Sequence, residues 1–289
     1  MKIPITFLIL ISLSPVLSAQ SNQNTKATTK PFVLGVIDGL YSTILKEERG
    51  LNIYLPEGYD ANDTVKYPVI YLLDGSADED FIHVVGIVQF NTFPWIERIP
   101  KSIVVGIVTV DRQRDFSYPT TVKEDKEAWP ATGGSEKFIA FMEKELQPYI
   151  EKTYNVNQER TLIGQSFGGL LATEILFRKP ALFSKYIIIS PSLWWDDGSL
   201  LDLPSVLLDE SYHEPTSIYI GYGKEGLAPG ASTHVMEVDA NLLAERIAAT
   251  KSKHVNVYLD YLPEEDHATI GHQAVFNAFR KLYPAQKNQ

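Results

Sequence analysis

Gly164-Gln165-Ser166-Phe167-Gly168 lies between an apolar strand ending at Leu162-Ile163 and a helical stretch running from Phe167 to Arg178. A serine at the tip of a tight strand-to-helix turn needs a strained backbone and small residues two places before and after it. Gly164 and Gly168 meet that need, and Gly169 and Ala172 let the helix lie close to a sheet. The start of a helix also favours negative charge developing beside it. Ser166 is therefore the candidate nucleophile.

Outward from this turn, strands and helices alternate. Tyr67–Leu73 and Ser102–Thr109 are short apolar runs of the kind buried in a parallel sheet. Strands are also expected at 185–189, 217–220 and 255–259. Apolar residues at helical spacing predict helices over 135–152, 236–250 and 270–283. This alternation implies a mainly parallel sheet with helices on both faces. From Tyr41 to Pro56 the pattern alternates polar and apolar, and Gly50 divides it, which predicts an antiparallel hairpin at one edge.

A serine hydroxyl needs a base to take its proton. Of six histidines, His267 follows the last predicted strand and precedes the last helix, and His272 falls within that helix. The order serine, acid, histidine favours His267. The acid should follow the strand 217–220, where Glu225 stands; a solvated loop glutamate beside a Ser–His pair is the alternative. Asp266 is too close in sequence to His267 to orient it. Two backbone N–H donors for an oxyanion are expected from Phe167 and from Ser76, in the turn Asp74-Gly75-Ser76.

The chain has 289 residues and a formal charge of −10. Residues 1–19, MKIPITFLILISLSPVLSA, read as a signal peptide with cleavage near Ala19. Cleavage leaves 25 basic against 36 acidic residues, a charge of −11. Such a chain repels nucleic acid and anionic membrane surfaces. Residues 20–31 form a polar lead-in, and 32–289 a single domain. The expectation is a periplasmic or secreted protein without stable membrane insertion once the signal is removed. No cysteine is present, which excludes disulfides, thiolate catalysis and cysteine-bound metal. No H-E-x-x-H motif or phosphate-cradling glycine loop occurs, so neither metal nor cofactor is expected.

The chain resembles the esterase family of α/β hydrolases that includes esterase D and feruloyl esterases, and within it the enterobactin and salmochelin (siderophore) esterases. The likeness rests on Tyr71-Leu-Leu-Asp-Gly75, Ile99-Pro-Lys-Ser-Ile-Val-Val-Gly-Ile107, Arg112-Gln-Arg-Asp-Phe116, Gly164-Gln-Ser-Phe-Gly-Gly169 and Ser190-Pro-Ser-Leu-Trp-Trp-Asp196. It implies an α/β-hydrolase fold and hydrolysis of a small-molecule carboxylic ester through an acyl-enzyme on Ser166. Siderophore-type esters are the first candidates and feruloyl or acetyl carbohydrate esters the second. A catalytically inactive hydrolase-fold binding protein is the reading from another class. Gln165 stands where these esterases often carry histidine, and that position is expected to tolerate exchange. By the same resemblance, Arg112 and Arg114 are placed to hold an acidic or catechol-bearing substrate; a structural ion pair, such as Arg114 with Asp115, is the alternative. Trp194 and Trp195 are candidates for an aromatic pocket or for core anchors, one of each being expected.

Overall fold

The computed structural model describes residues 28–230 and 232–284. The expected signal peptide, its cleavage point and residues 20–27 of the lead-in lie outside the described residues. Residues 28–33 belong to a separate N-terminal unit and have no regular secondary structure.

The unit from Leu34 onward is built on one eight-stranded sheet. Its strands are β1 (Val36–Ser42), β2 (Glu47–Tyr54), β3 (Tyr67–Leu72), β4 (Ile103–Ile107), β5 (Val156–Gln165), β6 (Lys185–Ile189), β7 (Thr216–Gly223) and β8 (Val255–Leu262). They lie in the order β1-β2-β4-β3-β5-β6-β7-β8. From β4 to β8 all neighbours are parallel, while β2 pairs antiparallel with both β1 and β4. Every residue of β3 and β4 is buried, which is why those runs are apolar throughout instead of alternating.

The helices are α1 (Phe81–Asn91), α2 (Arg112–Phe116), α3 (Lys123–Ala128), α4 (Ser135–Phe141), α5 (Gln147–Thr153), α6 (Phe167–Arg178), α7 (Met236–Ala248) and α8 (Ile270–Leu282). The predicted helix over 135–152 is α4 and α5 joined by a π-helical turn at Met142–Leu146. One sheet face is covered by α1 and α8, where Val84, Val88, Ala274 and Phe279 pack on Leu72, Ile163 and Ile187. The other carries α4 to α7, where Phe141, Leu170, Ile175 and Leu243 join Val69, Tyr71 and Leu162. Burial of each valine, leucine, isoleucine or phenylalanine among them contributes about 1.5–3 kcal/mol. Helix α6 is buried from Phe167 to Phe177, as befits a helix apolar on all sides at the centre of the layer.

The predicted hairpin is present, but its turn differs. Residues 43–46 make the turn, closed by Lys46 N–H donating to Ser42 O at 2.8 Å. The Glu145 carboxylate caps it by accepting from Thr43 N at 2.9 Å and Ile44 N at 3.3 Å. Gly50 instead lies inside β2, opposite Gly39, where an added Cβ would meet Val108 at 3.2 Å.

The chain leaves β3 for β4 on one side and returns to β5 on the other. Their carboxyl ends therefore border the crevice where ligands bind in open α/β sheets. Among the described residues, no helix is long and apolar enough to cross a membrane.

Candidate active site

Ser166 follows the last residue of β5 and precedes the first of α6, with φ 58° and ψ −119°. A side-chain-bearing residue seldom adopts that conformation. Three backbone hydrogen bonds hold it: Ser166 N to Ile189 O at 3.0 Å, Leu170 N to Ser166 O at 2.9 Å, and Ser192 N to Ser166 O at 3.1 Å. A Cβ on Gly164 would lie 2.3 Å from the Gly168 carbonyl oxygen, so a larger residue there would push α6 off β5.

Glu225 lies just beyond β7, its side chain 2% exposed. Its carboxylate accepts from His267 Nδ1 at 2.7 Å, from the Ser190 hydroxyl, and from Gly223 N at 3.1 Å. Burial pushes this carboxyl up, but those hydrogen bonds outweigh it and hold Glu225 below the ordinary carboxylate range. The carboxylate fixes the imidazole proton on Nδ1 and leaves Nε2 as the basic nitrogen. His267 sits in the loop between β8 and α8, its side chain 43% exposed. The Ser166 hydroxyl rests against the Ser192 hydroxyl at 3.3 Å, and among the described residues it makes no hydrogen bond to His267. Such contacts commonly tighten only when substrate binds.

Ser166, His267 and Glu225 open on one cleft of about 570 Å³, walled by Phe167, Trp129 and Trp194. The rings form a cluster: Trp129 to Trp194 5.1 Å, Phe167 to Trp194 5.9 Å and Trp129 to Phe167 6.4 Å between centroids. Trp195 is fully buried and donates from Nε1 to Tyr118 O at 2.8 Å, so it anchors the core. Trp194, 3% exposed, also belongs to the core but lines the cleft.

Arg112 borders the cleft, but its guanidinium is already engaged. Nε donates to Asp74 Oδ1 at 2.8 Å, and Nη2 to Asp74 Oδ2 at 3.0 Å and to Gln165 O at 3.2 Å. Burial pushes the Asp74 carboxyl above its ordinary value, and Arg112 offsets this only in part. Arg114 is not brought to the cleft. It donates to Asp115 at 2.8 Å and Glu47 at 2.6 Å, in a network completed by buried Arg49, which donates to Asp115 at 2.6 Å. Its Nε, Nη1 and Nη2 all donate to these acids and it does not line the cleft, so the structural pair replaces the substrate role as its reading.

Phe167 lines the cleft and Ser76 does not. The Gly75 N–H is committed to Ile107 O at 3.0 Å, and Ser76 O accepts from Glu79 N at 3.0 Å to form a local turn. Among the described residues, no group of three or more His, Cys, Asp or Glu side chains converges with metal-ligand geometry.

Four residues at the site carried no clear sequence signal for the place they take. Trp129 follows a short charged helix with no apolar period. Ser190 and Ser192 lie in the Ser190-Pro-Ser-Leu-Trp-Trp stretch, where the tryptophans drew attention and the hydroxyls did not. Gln165, expected to tolerate exchange, donates from Nε2 to the His267 carbonyl at 2.6 Å.

Comparison with known proteins points to esterases. The profile of the family described as "Putative esterase" matches residues 42–277. The ferri-bacillibactin esterase BesA of Bacillus subtilis is 30% identical over 82% of this chain and 86% of its own length. An IroE-like serine hydrolase from Shewanella oneidensis superposes with a TM-score of 0.76 at 32% identity, covering 86% of this chain and 80% of that one. The BES protein from Bacillus cereus gives a TM-score of 0.75 at 28% identity, covering 91% and 100%.

Proposed function

The chain belongs to the esterase family of α/β hydrolases and hydrolyses carboxylic esters; from that premise we propose that Ser166, His267 and Glu225 carry the reaction and that its substrates are siderophore-type esters. His267 Nε2 takes the Ser166 proton as Oγ attacks the ester carbonyl. The tetrahedral oxyanion is met by the Phe167 N–H at the start of α6. Collapse expels the alcohol, which takes the proton back from the imidazolium and leaves an acyl group on Ser166. Water, deprotonated by His267, attacks the acyl carbon and releases the acid. Glu225 orients the ring and stabilises the imidazolium.

The observation that carries this reading is the shared cleft. The strained Ser166 turn and the His267–Glu225 pair, 2.7 Å apart, open on it together. The substrate class is supported by the ring cluster of Trp129, Phe167 and Trp194, which suits a planar aryl group, and by the name of the relative BesA. The Lys2–Ala19 pattern supports a further part of the proposal, action outside the cytoplasm, which cell fractionation tests.

The test is a comparison of kcat/KM for ferric enterobactin, iron-free enterobactin, methyl ferulate and p-nitrophenyl acetate. A preference of at least about tenfold for one of the enterobactin forms is expected, the discrimination one well-filled pocket supplies. A preference for methyl ferulate or p-nitrophenyl acetate would overturn the substrate assignment while leaving the ester chemistry in place.

A further inference from the structure

We infer that Gln165 is a positioning residue for His267, a tether that sets the base at a fixed distance from the nucleophile next to it in the chain. The inference rests on the roles proposed for Ser166 and His267.

The loop carrying His267 is open to solvent over most of residues 263–269. Glu225 grips only the imidazole, at Nδ1. One hydrogen bond to a ring leaves the ring free to swing about it; the loop is held on either side of His267, by Lys224 N donating to Glu265 O at 2.8 Å and by Asp266 Oδ1 accepting from Ala268 N at 2.8 Å and Thr269 N at 3.1 Å, but neither contact reaches the His267 carbonyl. Gln165 supplies a second point of attachment, from its Nε2 to the His267 carbonyl at 2.6 Å. The anchor itself is rigid. Gln165 is the last residue of β5, is paired with Ile189 of β6, and accepts Arg112 Nη2 on its carbonyl at 3.2 Å. Since Gln165 directly precedes Ser166, one amide ties the base to the strand that presents the nucleophile.

The first turn of α8 holds that amide in place. A Cβ on Gly271 would lie 2.7 Å from Gln165 Oε1, closer than side chains pack, so the amide oxygen abuts the glycine. This contact allows a test that touches neither Gln165 nor His267. Gly271→Ala displaces the amide, while alanine in a helix favours folding by up to about 1 kcal/mol.

Turnover of p-nitrophenyl acetate is measured for wild type, Gln165→Ala, Gln165→Glu and Gly271→Ala, with Ser166→Ala as background and thermal unfolding alongside. Small displacements of reacting groups cost up to about 100-fold. The tether predicts kcat lower by about 10- to 100-fold in Gln165→Ala and at least several-fold in Gly271→Ala, with KM little changed and Gly271→Ala melting no lower than wild type. In Gln165→Glu an ionised carboxylate cannot donate to the His267 carbonyl, whereas a protonated one can. Its activity relative to wild type should therefore fall as pH rises through the ordinary glutamate range, from about 3.5 to about 5.5.

Wild-type kcat in Gln165→Ala, or loss in Gly271→Ala that follows only its melting temperature, would overturn the tether. So would a Gln165→Glu ratio independent of pH. Wild-type turnover no faster than Ser166→Ala would instead bring down the proposed catalytic roles, and the tether with them.

Discussion

Glu225 Oε2 and His267 Nδ1 lie 2.7 Å apart, although 42 residues of chain and the whole of α7 and β8 separate them. The carboxylate is buried and the imidazole half exposed, so the charged group that orients is sheltered while the group that exchanges protons meets solvent.

Glu225→Gln keeps the shape but can present an amide N–H to Nδ1, which favours the wrong tautomer. kcat for p-nitrophenyl acetate should fall by about 10²- to 10⁴-fold. The carboxyl is held below its ordinary value in the folded state, so its contribution to stability is present above the unfolded value and lost as pH falls through the folded one. Urea midpoints of wild type and Glu225→Gln should therefore converge as pH is lowered below about 4.5.

Arg112 and Arg114, two residues apart, should behave differently. Arg112→Ala leaves Asp74 buried without its partner, and the Asp74 side chain is 11% exposed. A stability loss of about 2 kcal/mol is expected in urea titrations, together with lower kcat/KM, because the pair lies at the cleft. Arg114 is 35% exposed and does not line the cleft, so Arg114→Ala should change kcat/KM by less than about threefold, with a stability loss of about 1 kcal/mol or less.

Trp194 and Trp129 should act on substrate choice. Trp194→Ala and Trp129→Ala should lower kcat/KM for enterobactin by about tenfold more than for an aliphatic ester that carries no ring, the worth of one aromatic contact. Equal losses on both substrates would assign the rings to packing alone.

His234 supplies a stability dependence in the opposite direction to that of Glu225. Its Nδ1 lies 2.9 Å from Asp239 Oδ1, and its Nε2 3.4 Å from Asp197. Burial disfavours the imidazolium, but the two carboxylates outweigh it and raise the His234 value. Burial of Asp239 also raises that acid, with the imidazole offsetting it in part, so the directly paired histidine carries the clearer sign. A raised value means stability fully present below about pH 6.5 and lost as pH rises through the folded value. The urea midpoint of wild type minus that of His234→Gln should be larger at about pH 5.5 than at about pH 8.5.

Much of this arrangement was legible in the sequence, for identifiable reasons. Strands β3, β4 and β6 are short runs of β-branched and aromatic residues, which declare themselves because both faces are buried. The turn at Ser166 reveals itself through Gly164 and Gly168, whose smallness is a steric requirement. Glu225 and His267 emerge from chain order, since each follows a strand at the same edge of the sheet. What was not legible depends on long-range contact. The Arg112–Asp74 pair spans 38 residues, and nothing local to Arg112 distinguishes it from Arg114, whose acids come from β2 and its own helix. The turn at 43–46 has no strong turn residue of its own and is capped by Glu145, about a hundred residues away, so Gly50 attracted the assignment instead. Trp129 enters the cleft only through the packing of Phe167 and Trp194 around it.

The most direct measurement is p-nitrophenyl acetate hydrolysis by the wild type, Ser166→Ala and His267→Ala, paired with fluorophosphonate labelling. The account predicts labelling of the wild type at Ser166, and turnover lower by several orders of magnitude in both variants. Wild-type turnover that survives Ser166→Ala, or a label carried by another residue, would contradict it.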